Sequence, residues 1–139
     1  MKQSQLIANR FREVMLNGKW VAQTNYKDQL SDLNCQQANT RIGSLNTIAL
    51  LTFHVDYYIA GLLDVFKGGT LDIRDKYSFD MPPVESEADW HQLRTTMWNN
   101  AEQFAQFVEQ MSDEALDGAV VEPQYGDYRR NIEAMTEHA

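Results

Sequence analysis

The chain has one cysteine, Cys35, so it cannot form an internal disulfide, and a reducing compartment is expected. Its amino terminus, MKQSQLIANRF, lacks the apolar run and small-residue cleavage site of a secretory leader. No stretch approaches the ~18 uninterrupted apolar residues of a membrane span. These absences predict a soluble, cytoplasmic protein without membrane contact. Positive charge is also scarce, with 12 Lys and Arg against 20 Asp and Glu. The resulting net charge of −8, with no basic stripe to offset it, repels phosphate backbones and argues against nucleic-acid binding. Three prolines and seven glycines leave few interruptions, and the sequence contains no repeat, low-complexity tract or flexible linker.

What is present is enough apolar material for a core. Apolar residues make up 43% of the 139 residues and aromatics 11%, which places the chain among folded domains and predicts one domain over 1–139. Leu6, Ile7, Phe11, Val14 and Met15 recur at three- and four-residue steps, predicting a helix over 2–17 that closes at Asn17-Gly18. A looser connection over 19–39 carries Trp20, Tyr26, Leu30 and Leu33 as anchors. From Thr40 to Phe66 there is little polar face, as expected of a central helix, and Lys67-Gly68-Gly69 ends it. Residues 70–85 read as a packed crossover of a length that often covers a site. Ser86 opens a third helix through Trp90, Leu93, Met97, Phe104 and Val108, and Asp127 caps a final helix running to His138. Four helices with long crossover connections define an all-α class and a four-helix bundle.

Two histidines carry the functional signal. His54 lies on the most apolar helix and shares a face with Thr47, Leu51, Tyr58 and the small Gly61, which leaves room beside the ring for a ligand. His138 lies near the end of the last helix, on a face with Asn131, Ala134 and Met135. Helices of a bundle can aim such rings at one interior point, where a shared divalent metal would account for both. Read alone, His54 also fits a hydrogen-bonded core residue, and His138 a charge complementing its helix dipole. Tyr58 is the candidate for a hydrogen bond to substrate, with core filling as its alternative. Arg130 and Asn131 are weaker candidates for orienting an anion. His91 and Cys35 are assigned no role.

The stretches Leu45-Asn46-Thr47-Ile48-Ala49, Phe53-His54, Tyr57-Tyr58, the loop from Asp75 to Asp80, and Tyr125-Gly126-Asp127-Tyr128 leading into Glu137-His138 resemble the DinB-like superfamily of damage-inducible four-helix bundles. The likeness follows element order along nearly the whole chain. It implies a divalent metal, zinc or nickel, held by His54, His138 and a further histidine expected beyond Ala139, with the chain stopping within its last helix. It also implies a homodimer, and a thiol S-transferase or hydrolase acting on a small-molecule thiol or electrophile. The contrasting expectation is a non-catalytic dimeric bundle of a stress response or interaction, in which the histidines are vestigial.

Overall fold

A computed structural model describes residues 1–20 and 22–139. Among them the chain is all-α, with seven helices: α1 (Gln3–Arg12), α2 (Tyr26–Ser31), α3 (Cys35–Ala38), α4 (Ile48–Phe66), α5 (Glu87–Glu109), α6 (Asp113–Leu116) and α7 (Tyr128–His138). A π-type turn, Glu13–Asn17, extends α1. Residues 71–73 and 119–121, short stretches with the apolar content of a strand, form no sheet among the described residues; the second stretch contributes an isolated bridge between Ala119 and Asp127. Helix α5 packs along both α1 and α4, and α7 packs against the same two helices from the other end of the chain.

Local chemistry fixes where the helices begin. Thr47, Ser86 and Asp127 each accept a hydrogen bond from the backbone N–H three residues on, at Leu50, Asp89 and Arg130, satisfying an otherwise orphaned donor. The Thr47 cap means that the helix predicted from Thr40 starts eight residues later, at Ile48; residues 40–47 form turns and leave Ile42 and Leu45 exposed. From residue 25 to residue 39 the connection is more ordered than its spacing suggests, because Asn25 and Asn34 cap α2 and α3. At the other end of α4, Gly68 takes a left-handed φ of 89° and the N–H of Gly69 bonds the Asp64 carbonyl, giving the expected stop.

The core lies where α1, α4, α5 and α7 meet. Phe104 packs against Phe11 and Phe66, with ring centroids 4.6 and 5.1 Å away, and Met15, Met97, Trp90 and Ile132 are fully enclosed. Arg12 binds Glu109 through two nitrogens, at 2.7 and 3.1 Å, and Glu102 at 3.1 Å, tying α1 to α5; this fork of charge-assisted bonds holds the Glu109 carboxyl below the ordinary carboxylate range. Short α2 is fastened to α5 by Arg94, whose guanidinium donates to the Leu30 and Ser31 carbonyls and lies over the Trp90 ring. The Trp90 indole N–H adds a 2.8 Å bond to the Leu33 carbonyl.

By length and composition α4 is apolar enough to cross a membrane, which revises the expectation that no segment approaches that limit. In the fold it buries Ala49, Val55, Ile59, Leu62 and Leu63 against the protein, and with them the carboxyl of Asp56. Asn100 of α5 donates to Asp56 at 2.9 Å. Burial pushes the Asp56 carboxyl above its ordinary value of 3.8, with the Asn100 bond opposing. A raised native pKa favours folding in the protonated form. That contribution is complete below 3.8 and is lost as pH rises through the native value. Asp56→Asn should therefore be more stable relative to wild type at pH 7 than at pH 4 in urea unfolding; an unchanged difference between the two pH values would contradict the assignment.

Candidate functional site

Side chains of α4 divide into two faces. Thr52, Val55, Asp56 and Ile59 point into the core, whereas Leu51, His54, Tyr58 and Gly61 form a second face that α5 does not cover. The crossover after α4 folds back onto this second face. Tyr57 clamps it at Arg74, its hydroxyl donating to the Arg74 carbonyl at 3.0 Å and accepting from the Arg74 N–H at 2.8 Å. Tyr58 donates to Asp75 at 2.6 Å. Gly61 makes room for Ile73, whose Cγ1 lies 2.5 Å from where a Cβ at Gly61 would stand. The space beside Gly61 is thus filled by the crossover, correcting the expectation that it would be left for a ligand.

The clamp delivers a short 3₁₀ turn, Asp75–Tyr77, followed by Ser78 and Phe79 against His54. Phe79 stacks on the imidazole, with centroids 4.1 Å apart and planes 5° from parallel. The Ser78 carbonyl lies 3.3 Å from His54 Nδ1. A carbonyl can only accept, so Nδ1 carries the proton and Nε2 presents a lone pair on the opposite side of the ring. His138 meets that lone pair, its Nε2 lying 3.2 Å from His54 Nε2. Residues 84 positions apart are brought together by the packing of α7 across the end of α4. Tyr58 walls the pair, its ring edge-on to His54 at 5.2 Å and to His138 at 4.9 Å.

The pair sits at the rim of the protein, with His54 half-buried and His138 exposed. This differs from the expected convergence in the middle of a bundle. The reason is that His54 belongs to the face of α4 turned away from α5, and α7 crosses α4 with its last turn. Partial burial, with a smaller contribution from the facing His54, lowers the His138 pKa and favours the neutral imidazole. Tyr58 directs its hydroxyl to Asp75 instead of the space between the rings, and burial and that carboxylate raise its pKa. Asn131 donates to the carbonyls of Tyr125 and Asp127, and Arg129 pairs with Asp117. Both therefore support the turn ahead of α7. His91 is exposed on α5, and the thiol of Cys35 lies beside Asn39 and Val84.

The contribution of Ser78 and Phe79 is invisible to helical spacing, because it arises from a turn folded back onto α4. Its sequence signals are the unusual length of the crossover and the stretch from Asp75 to Asp80 that carries part of the family resemblance. On the other side of the imidazoles a cleft of about 560 Å³ runs between α2 and α4, lined by Tyr26, Leu30, Leu33, Ile48, Leu51 and Val55 and ending at the two rings. The α2 residues appear in the sequence only as scattered anchors. They face the cleft because Arg94 and Trp90 fasten the end of α2.

Two imidazoles in this arrangement have two uses. Without metal, the two rings form a relay in which His138 Nε2–H donates to His54 Nε2 and His54 Nδ1–H donates to Ser78. With a metal, the two Nε2 atoms would be the donors. A tetrahedral centre with metal–nitrogen distances of ~2.0–2.1 Å places two ligand nitrogens ~3.3 Å apart, close to the observed separation. Among the described residues no group of three His, Cys, Asp or Glu is positioned to hold a metal, so the pair provides two donors of such a set. No family model, curated protein or solved structure matches the chain.

The network fixes the His54 tautomer and so gives a direct test. Nitrogen-15 NMR of the metal-free protein should show His54 protonated at Nδ1 and bare at Nε2. A proton on His54 Nε2 would contradict the proposed bond to Ser78.

Proposed function

We propose that the chain is a divalent-metal-dependent enzyme of the DinB-like kind, a four-helix bundle in which α1, α4, α5 and α7 form the frame. In this reading His54 and His138 hold the ion, zinc or nickel, and the reaction is a thiol S-transfer or a hydrolysis on a small molecule. The observation that carries the proposal is the 3.2 Å approach of two Nε2 atoms, one with its other ring nitrogen tied to a backbone carbonyl. A carbonyl accepting from the far ring nitrogen is the usual companion of a ligating imidazole, since it fixes the tautomer and the ring plane. Stacking on Phe79 restrains the same ring, so its lone pair is already aimed before anything binds. The lowered His138 pKa favours the neutral imidazole that ligation requires.

A bound ion would supply Lewis acidity, which makes an anionic nucleophile from water or a thiol near neutral pH. The protein's own part is orientation. Ser78 and Phe79 set the plane of His54, Tyr58 closes one side, and the apolar cleft offers a place for a substrate beside the rings. Both donors are imidazoles, which zinc and nickel accept equally well. Two donors also leave several coordination positions for substrate and other ligands.

The non-catalytic reading draws on a different feature. Ile42, Leu45 and Leu51 are exposed along the approach to and first turns of α4, at 71%, 65% and 45%, as an apolar surface between two copies of the chain would be. In that dimer the histidine relay would be structural, with Ser78 as its terminal acceptor.

Metal titration separates the two. Calorimetry with zinc and with nickel should give one site per chain, and His54→Ala and His138→Ala should each weaken it by at least about tenfold, the cost of even outer-shell changes. His91→Ala serves as the control and should bind as wild type. Equal binding by all four proteins, or none by any, contradicts the enzymatic reading and leaves the dimeric one.

A further inference from the structure

The cleft beside the imidazoles differs from the clefts near α7 in a way that bears on what it takes. The chain is 23% charged, and clefts near α7 include Arg10, Arg129, Arg130, Glu133 and Glu137 in their walls. Among the described residues lining the cleft between α2 and α4, none carries a fixed charge. Five of its walls are the aliphatic side chains of Leu30, Leu33, Ile48, Leu51 and Val55, while Gln29, Thr52 and Tyr26 bring the only polar groups besides the histidines. Two of those are already engaged: the Thr52 hydroxyl donates to the Ile48 carbonyl of its own helix, and the Tyr26 hydroxyl donates to the carbonyl of Ala139. Gln29 donates its amide to Thr24. The remaining polar groups of the lining are the Gln29 side-chain carbonyl and the two imidazoles, whose Nε2 atoms face each other.

A compartment that is apolar along its length and polar at one tip selects a molecule of the same design. An ionised group along the body of a ligand would lose hydration there without finding a partner, a cost that apolar contact does not offset. An apolar body gains by leaving water, and the volume of about 560 Å³ is in the range of pockets for small organic molecules. The Ile48 and Leu51 side chains are 38% and 45% exposed, so an occupant would cover apolar surface that the protein itself leaves open.

We infer that the cleft is the binding site for an uncharged, predominantly aliphatic small molecule whose single polar, metal-seeking or electrophilic group is placed at the His54–His138 pair. The inference rests on the enzymatic reading for what happens at the polar tip, and on the cleft itself for the apolar body. It assigns the apolar substrate to the electrophile side of a transfer, or to the scissile substrate of a hydrolysis. A hydrophilic thiol has no polar partners along these walls and would approach the rings from the solvent side, where His138 is exposed.

The probes are straight-chain alkyl hydroxamic acids from acetohydroxamic to octanohydroxamic acid, titrated calorimetrically into the full chain with and without one equivalent of zinc. Affinity should rise by twofold to about fourfold for each added methylene, the upper figure being the value for complete burial. Leu51→Ser and Ile48→Ser, both at partly exposed positions that should leave folding intact, ought to flatten the rise. A rise unchanged in both variants, or affinity independent of chain length, overturns the inference. Affinities that rise with chain length but are equal with and without zinc support the apolar cleft and contradict the metal reading, so the two failures are distinguishable.

Discussion

The orientation of the His54 ring depends on the crossover after α4 being held down on one face of that helix. Three contacts do this: Tyr57 with the Arg74 backbone, Tyr58 with Asp75, and Ile73 in the space left by Gly61. Each is modest, since an ordinary hydrogen bond contributes about 1 kcal/mol net. Together they determine where Ser78 presents its carbonyl and where Phe79 presents its ring. Without them His54 would be a half-buried imidazole free to choose its tautomer and its rotamer. With them it is a donor aimed at a fixed point, and the packing of α7 brings His138 to that point.

The same logic explains why the site lies at the edge of the fold. The interior face of α4 is buried in the fold, with Val55 and Ile59 in the core and the Asp56–Asn100 bond tying it to α5. The opposite face is open, so a turn, the last turn of α7 and the side of α2 can converge on it. Strong packing on one side of a helix supplies rigidity, and the uncovered side supplies access. Arg94 and Trp90 extend that rigidity to α2, a helix of six residues that would be marginal by itself.

Much of this was legible in the sequence and some was not. Caps at Ser86 and Asp127, the stop at Gly68-Gly69 and the apolar faces of α1 and α5 follow from residue type and spacing, because they depend on neighbours within four residues. The start of α4 was misplaced because Ile42 and Leu45 continue the apolar spacing, while the competing Thr47 cap ends it; both remain exposed. His54 could be singled out as a polar exception on its helix, whereas His138, on a largely polar helix, was brought forward by the family resemblance. Their meeting could not be derived from periodicity, since it depends on how α7 crosses α4. Ser78, Phe79 and the α2 wall were hidden for a related reason: a backbone carbonyl and a long-range stack leave no periodic trace.

The central claim is that His54 and His138 converge on one cation. It is tested most directly by crystals grown with zinc and measured at the zinc absorption edge. The account predicts a single anomalous peak within about 2.1 Å of both Nε2 atoms, the normal zinc–imidazole distance. A peak bound elsewhere, or ordered rings still joined Nε2 to Nε2 with no zinc between them, would contradict it.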